Sequence, residues 1–219
     1  GGGSLGRNKF PEETLRRIVD EATGLFIQKG YENTSIQDII DRLGGLSKGA
    51  IYHHFKSKEE IFQAVCRKIG EENIAYFDKI RDDDKLSGLE KLRQMVASFY
   101  ANPGNLALFS LSSKIMQDPK FLMDQVYEIF NLSVPFYVQP VVEQGVADGS
   151  IKTAYPKELA ESLLILTNIW LNPLIAKSAP EEMRRKLEFL SLLLKDAGAD
   201  IISDDTIQKY VEFCNNHII

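Results

Sequence analysis

Apolar residues recur along the chain at spacings of three and four, and no stretch sustains the alternation of a half-buried strand, so the pattern predicts an all-α protein. The first helix is predicted to begin near Pro11, with Glu12 and Glu13 at the positive end of its dipole. It carries Leu15, Ile18, Val19, Ala22, Leu25 and Phe26 on one face until Gly30 stops it. A short helix follows from Ser35 to Leu43 with Ile36, Ile39, Ile40 and Leu43 inward. Thr34 and Gln37 stand in capping-box spacing at its start, and Gly44-Gly45 closes it. A third helix starts at Ser47. Ser57 and Glu60 repeat the capping box and launch a fourth helix through Ile61, Phe62, Val65 and Ile69 towards Ile80.

Beyond the acidic stretch Arg81-Asp82-Asp83-Asp84-Lys85, helices are expected at 86–101, 105–117, 119–147, 157–177, 180–197 and 203–216. Asn102-Pro103-Gly104, Asp118-Pro119, Asp148-Gly149 and Ala179-Pro180 separate them. Pro135 and Pro140 fall inside the helix at 119–147, where each removes a hydrogen bond and crowds the preceding turn, so a kink or split is expected. The predicted organisation is a three-helix front domain, residues 7–56, and a larger helical domain, residues 57–219. The opening Gly-Gly-Gly-Ser reads as a flexible leader or cloning remnant outside both.

Composition narrows the classes. Of 219 residues 44% are apolar and 26% charged, and no run is long and apolar enough to suggest a bilayer span. The two cysteines, Cys66 and Cys214, lie far apart in no metal-like spacing, and no secretory signal precedes the first helix, which fits a reducing cytoplasm. No metal or cofactor is expected. A net charge of −5 argues against a nucleic-acid partner until its distribution is examined. Residues 7–68 hold 11 Lys and Arg against 9 Asp and Glu, a balance of +2, whereas residues 69–219 hold 15 against 22, a balance of −7.

The second and third helices, joined by Gly44-Gly45-Leu46, have the layout of a helix-turn-helix, in which the first helix braces across the DNA backbone and the second enters the major groove. Ile51 and Phe55 are the inward residues of the second. Lys48, Gly49, Ala50, Tyr52, His53 and His54 are left on or near an outer face with little to bury.

Three segments carry a resemblance: Thr34-Ser35-Ile36-Gln37-Asp38-Ile39-Ile40, then Leu46-Ser47-Lys48-Gly49-Ala50-Ile51-Tyr52-His53-His54-Phe55, then Lys56-Ser57-Lys58-Glu59-Glu60-Ile61. Over roughly residues 11–65 the chain resembles the DNA-binding domain of the TetR family. The resemblance implies a three-helix DNA-binding unit, a linking fourth helix, and a helical domain that binds an inducer and dimerises. It places Thr34 and Ser35 on phosphate, Lys48, Gly49, Ala50 and His53 near bases with Ser47 at the helix start, and Tyr52 and Lys58 as backbone clamps. One departure is visible: many members have a single glycine in the turn, and Gly44-Gly45 lengthens it.

In the larger domain, candidates for an inducer pocket are the aromatics Phe99, Tyr100 and Phe109, and Met116, Met123, Tyr127, Phe130 and Tyr137 beyond them. Asn131, Asn168 and Trp170 complete the set. Asparagines on apolar helical faces must find partners or a wet cavity, and the scarcity of charge nearby points to a neutral or hydrophobic ligand. Helices 160–175 and 183–194 are apolar on more than one face, which suggests a partner subunit. Leu163, Leu166, Trp170, Leu187, Leu190 and Leu194 are the interface candidates.

The resulting expectation is a ligand-responsive regulator of transcription: a homodimer on double-stranded DNA, repressing from a pseudo-palindromic operator until a small-molecule inducer releases it. A helical adaptor that has lost specific DNA binding is the alternative. An enzyme is disfavoured, since His53 and His54 lie on the presumed recognition helix and neither cysteine has a base partner or nucleophile motif.

Overall fold

The structure, a computed structural model, describes residues 11–45, 47–101, 119–172, 175 and 178–217. The expected helix at 105–117, Leu46, Phe109, Met116, and the side chains of Phe99 and Tyr100 lie outside the described residues. All regular elements among the described residues are helical, and the chain divides into two compact units between Glu71 and Glu72.

In the front unit, α1 (Pro11–Lys29), α2 (Ile36–Leu43), α3 (Lys48–His54) and the first turns of α4 (Lys58–Arg81) enclose one core. Ile18, Ala22, Phe26, Ile39, Ile51, Ile61 and Val65 are wholly buried in it, and Phe26, Tyr31 and Phe62 meet edge-on or tilted with centroids 5.0–6.1 Å apart. Burying each of the larger of these side chains contributes about 1.5–3 kcal/mol, which is why four short elements hold together in some sixty residues. Leu15, expected inward, is 39% exposed.

The cap of α2 differs by one residue from the sequence reading. Ser35 is the N-cap: its Oγ accepts from the Asp38 N–H while the Asp38 carboxylate accepts from the Ser35 N–H at 2.7 Å, a complete capping box. At the other end Gly44 and Gly45 have φ of +47° and +101°, and the second of these is a backbone state that side chains other than glycine's rarely adopt. The two-glycine turn is therefore a real geometric feature.

The second unit holds the rest of α4, then α5 (Gly88–Ala101), α6 (Pro119–Glu128), a π-helical segment π1 (Ile129–Val138), α7 (Gln139–Asp148), α8 (Pro156–Ile165), π2 (Leu166–Trp170), α9 (Pro180–Asp196) and α10 (Asp204–His217). The predicted helix at 119–147 is thus split by a π segment containing Pro135, with Pro140 in the first turn of α7. The predicted helix to 177 ends at Trp170, two residues before Asn172, which precedes Pro173 and so disfavours a helical backbone.

Each π segment carries an asparagine whose amide donates to the carbonyl four residues back: Asn131 to Tyr127 at 2.8 Å and Asn168 to Leu164 at 3.0 Å. A side-chain donor inserted into the i→i−4 ladder is a recognised cause of local helix distortion. Helix α5 packs on α7, α7 on α8, α9 on α10, and α10 on α5. The first of these crossings is so close that a Cβ on Gly88 would collide with the Gly145 backbone.

Candidate nucleic-acid interface

Helix α3 is held by a few inward contacts. Ser47 caps it by accepting from the Ala50 N–H at 3.2 Å, Ile51 is wholly buried, and Phe55, 5% exposed, closes it by donating its N–H to the Ile51 carbonyl. Most of the rest faces out. Lys48, Gly49, Tyr52 and His53 are exposed and Ala50 is half-buried, so the polar surface foreseen from the sequence exists as one helical face. The Lys48 ammonium lies 5.8 Å from the centre of the Tyr52 ring, and the His53 and His54 rings stand 5.2 Å apart. A Cβ on Gly49 would meet only the Ser47 hydroxyl, at 3.9 Å, so nothing within the unit demands glycine there.

Three of the sequence-based candidates are placed differently. Thr34 is 1% exposed, its hydroxyl donating to the Gly30 carbonyl at 2.8 Å and its N–H to the Tyr31 carbonyl, so it pins the α1–α2 connection and has no group to offer a phosphate. Ser35 is exposed, but its hydroxyl donates to Asp38 at 2.6 Å and its N–H to the same carboxylate, so a phosphate would have to displace Asp38. The Lys58 ammonium donates to the Tyr31 carbonyl at 2.8 Å and lies 4.1 Å from the centre of the Tyr31 ring, holding the start of α4 to the end of α1.

Tyr31 in turn donates its phenol to Glu59 at 3.1 Å, and burial, reinforced by that carboxylate, pushes its pKa up to about 12. Lys29, Arg42 and Lys68 are likewise engaged, with Asp38, Glu21 and Asp20. Lys48 and Lys56, by contrast, are exposed and join no ion pair among the described residues. Sequence reasoning passed over Lys56. Its signal was position, a cation directly after the recognition helix.

In the second unit the inducer candidates among the described residues lie apart. Met123, Tyr127 and Phe130 are 64%, 70% and 45% exposed, Asn131 and Asn168 are exposed with their amides satisfied locally, and Tyr137 packs on Phe77 and Arg81. The asparagines thus do not require a wet cavity. Among the interface candidates Leu163, Leu187, Leu190 and Leu194 are at most 3% exposed and fill the subunit's own core. The outer face of α9 carries Phe189, Leu192 and Leu193 instead, 57%, 64% and 44% exposed, with the half-buried Trp170 ring 6.1 Å from Phe189. The register was readable: 183, 187, 190 and 194 share one helical face, and 189, 192 and 193 lie off it.

Cys66 and Cys214 have pKa values pushed up by burial to about 11 and 12, so both are unreactive thiols at neutral pH. Among the described residues no helix is long and apolar enough to cross a membrane.

A small capped-helix unit with an exposed, polar second helix, joined through α4 to a larger helical unit, defines the helix-turn-helix class of DNA-binding regulators. Residues 18–65 match the family described as bacterial regulatory proteins, tetR family. The HTH-type transcriptional repressor KstR2 of Mycolicibacterium smegmatis is 31% identical over 147 residues, 65% of this chain and 69% of that protein. A TetR/AcrR-family regulator from Thermobifida fusca superimposes with a TM-score of 0.56 at 27% identity, over 82% of this chain and 97% of its own. The A-factor receptor protein of Streptomyces griseus is 47% identical, but over 53 residues only, 24% of this chain and 19% of that protein. The chain belongs to the TetR family. It is a ligand-responsive, DNA-binding transcriptional regulator and not an enzyme.

Proposed function

We propose that the protein is a cytoplasmic, homodimeric repressor that sets two copies of α3 into successive major grooves of a pseudo-palindromic operator. A small, mainly neutral or hydrophobic molecule releases it. The observation that carries the reading is α3 itself, a helix that buries Ile51 and turns Lys48, Gly49, Tyr52 and His53 to solvent. Lys48, Gly49, Ala50 and His53 are assigned to base edges. Ser47, Tyr52 and Lys56 are assigned to the backbone, and Thr34 and Lys58 to holding the unit together. Functionally, residues 7–56 form the DNA reader and 57–219 the regulatory part. Repression is supported by the name of the KstR2 relative, whose match extends well beyond the DNA-binding unit.

For the dimer, the outer face of α9 is favoured. A stripe of Phe189, Leu192 and Leu193 is costly to leave in water and is continuous with Trp170. In a C2 dimer the same stripe serves both subunits and holds the recognition helices about 34–36 Å apart. Induction is then a population shift, the ligand preferring a dimer whose recognition helices are wrongly spaced.

Selection of bound sequences from a random double-stranded DNA library tests the reading. A pseudo-palindrome with half-sites one helical turn apart, bound with an affinity that falls steeply as salt rises, is the expected result. Binding with no selected sequence, or binding indifferent to salt, would favour the adaptor alternative.

A further inference from the structure

We infer that Arg17 is a positioning residue of the DNA reader: from α1 it holds the last carbonyl of α2, and with it the point from which the two-glycine turn carries the chain into α3. The inference rests on the regulator reading above, since it names what aims the helix that this reading sets in the major groove.

A helix ends in carbonyls that have no partner within it. After two other helices of the chain the backbone supplies one. Gly149, at φ +80° and ψ +5°, is left-handed and turns the chain back at the end of α7, so that the Ile151 N–H donates to the Gly145 carbonyl at 2.9 Å. At the end of α9 the Ala199 N–H donates to the Leu194 carbonyl at 2.8 Å. The end of α2 is built differently. Gly44 combines φ +47° with ψ +90°, outside the left-handed region that closes a helix in this way. The donor at the Leu43 carbonyl is a side chain, with Nη2 of Arg17 at 3.2 Å. A cation suits the negative end of the helix dipole, and a charged donor makes the stronger kind of hydrogen bond.

The turn itself has little to hold it. A Cβ on Gly44 or Gly45 would meet nothing within 4 Å, so no neighbour presses either glycine into place. Nor does α3 fix its own beginning against the core: Lys48 and Gly49 are exposed and Ala50 is half-buried, while the anchors Ile51 and Phe55 come later. The first turn of α3, which carries the residues assigned to base edges, is therefore aimed by the Ser47 cap and by the point where α2 stops. That point is Leu43, whose side chain is 3% exposed and whose carbonyl Arg17 holds. One turn along α1, on the same face, Glu21 pairs with Arg42 at 3.2 Å. Two side chains of α1 thus grip adjacent residues of α2, Arg17 through the main chain and Glu21 through an exposed side chain.

Two measurements on the full-length protein test this. In hydrogen exchange read by mass spectrometry without DNA, Arg17→Ala should raise exchange about threefold or more in residues 44–51 and leave 58–71 at the wild-type rate. In titrations, Arg17→Ala should weaken the duplex that the wild type selects about tenfold and an unrelated duplex less than about twofold, with the salt dependence unchanged. Arg17→Lys, which keeps one charged donor, should recover part of both changes. Glu21→Gln, which frees Arg42 and leaves the Leu43 carbonyl held, should produce neither. Four results would overturn the inference: wild-type exchange in Arg17→Ala; exchange raised equally through 58–71, the mark of a general stabiliser; equal weakening of both duplexes with a shallower salt dependence, the mark of a phosphate contact; or effects as large in Glu21→Gln. The exchange measurement needs no DNA, so it decides the inference even if the wild-type protein selects no sequence, the outcome that would sink the regulator reading instead.

Discussion

The outer faces of α3 and α9 are both more exposed than their own units require, yet they are opposite in chemistry. On α3 the outward residues are Lys48, Tyr52 and His53, with Gly49 leaving the backbone bare. On α9 they are Phe189, Leu192 and Leu193. A polar face loses little in water and gains most from a charged, hydrated partner such as phosphate and base edges. An apolar face is unfavourable in water and gains most from another apolar surface, such as the same face of a second copy. The difference separates a surface that can wait in water for its ligand from one that is costly to leave there.

The largest effect should come from giving α9 the polarity of α3. Phe189→Glu with Leu192→Glu places charges on the stripe proposed for the dimer, and if that stripe is the interface, sedimentation at micromolar concentration should report a monomer. Affinity for a two-half-site duplex should fall on the order of 100-fold or more, because the second half-site loses its effective concentration. A variant that stays dimeric would move the interface elsewhere.

Removing the ring of Tyr52 should be milder and sequence-blind. Tyr52→Ala is expected to weaken binding about tenfold on selected and unrelated duplexes alike, with stability changed by no more than about 0.5 kcal/mol, since the ring is 43% exposed. Unchanged operator affinity would remove Tyr52 from the interface. Lys48→Ala should instead relax preference at one base pair, a loss of about 1–3 kcal/mol of discrimination, visible when the library selection is repeated with the variant. An identical selected sequence would show that Lys48 reads no base.

The same contrast explains what could be read in advance. The front unit announced itself because its helices are bounded by local chemistry: Ser47, Ser57 and the glycine pair fix their ends whatever lies around them. The misplaced cap there, Thr34 for Ser35, came from two adjacent hydroxyls with an acceptable partner three residues on. Only the fold reveals that Thr34 is spent on the Gly30 carbonyl. In the second unit the helices α8 and α9 start with prolines and have no side-chain cap, so their limits depend on packing. The π segments were invisible for the same reason, as a proline and an asparagine signal disturbance without saying which register results. The α9 face was misassigned because an all-round apolar helix presents two candidate stripes. The core took the one at 183, 187, 190 and 194.

The smallest predicted effect asks how far the front unit depends on such local locks. Lys29 at 2.8 Å, then the hydroxyl and N–H of Ser35, hold the Asp38 carboxyl well below the usual carboxylate range. A folded-state pKa depressed in this way contributes stability that is complete above the ordinary value of about 4 and is lost as pH falls below it, because the unfolded chain then binds the proton first. Urea unfolding followed by circular dichroism between neutral and acid pH should therefore show Asp38→Asn less stable than wild type near pH 7. The gap should narrow as the pH drops below about 4, where the wild-type carboxylate gives up its cap. Curves that stay parallel across the whole range would mean that α2 is held by Ile39 and Leu43 against the core, and that the capping box which made the helix readable contributes little to its stability.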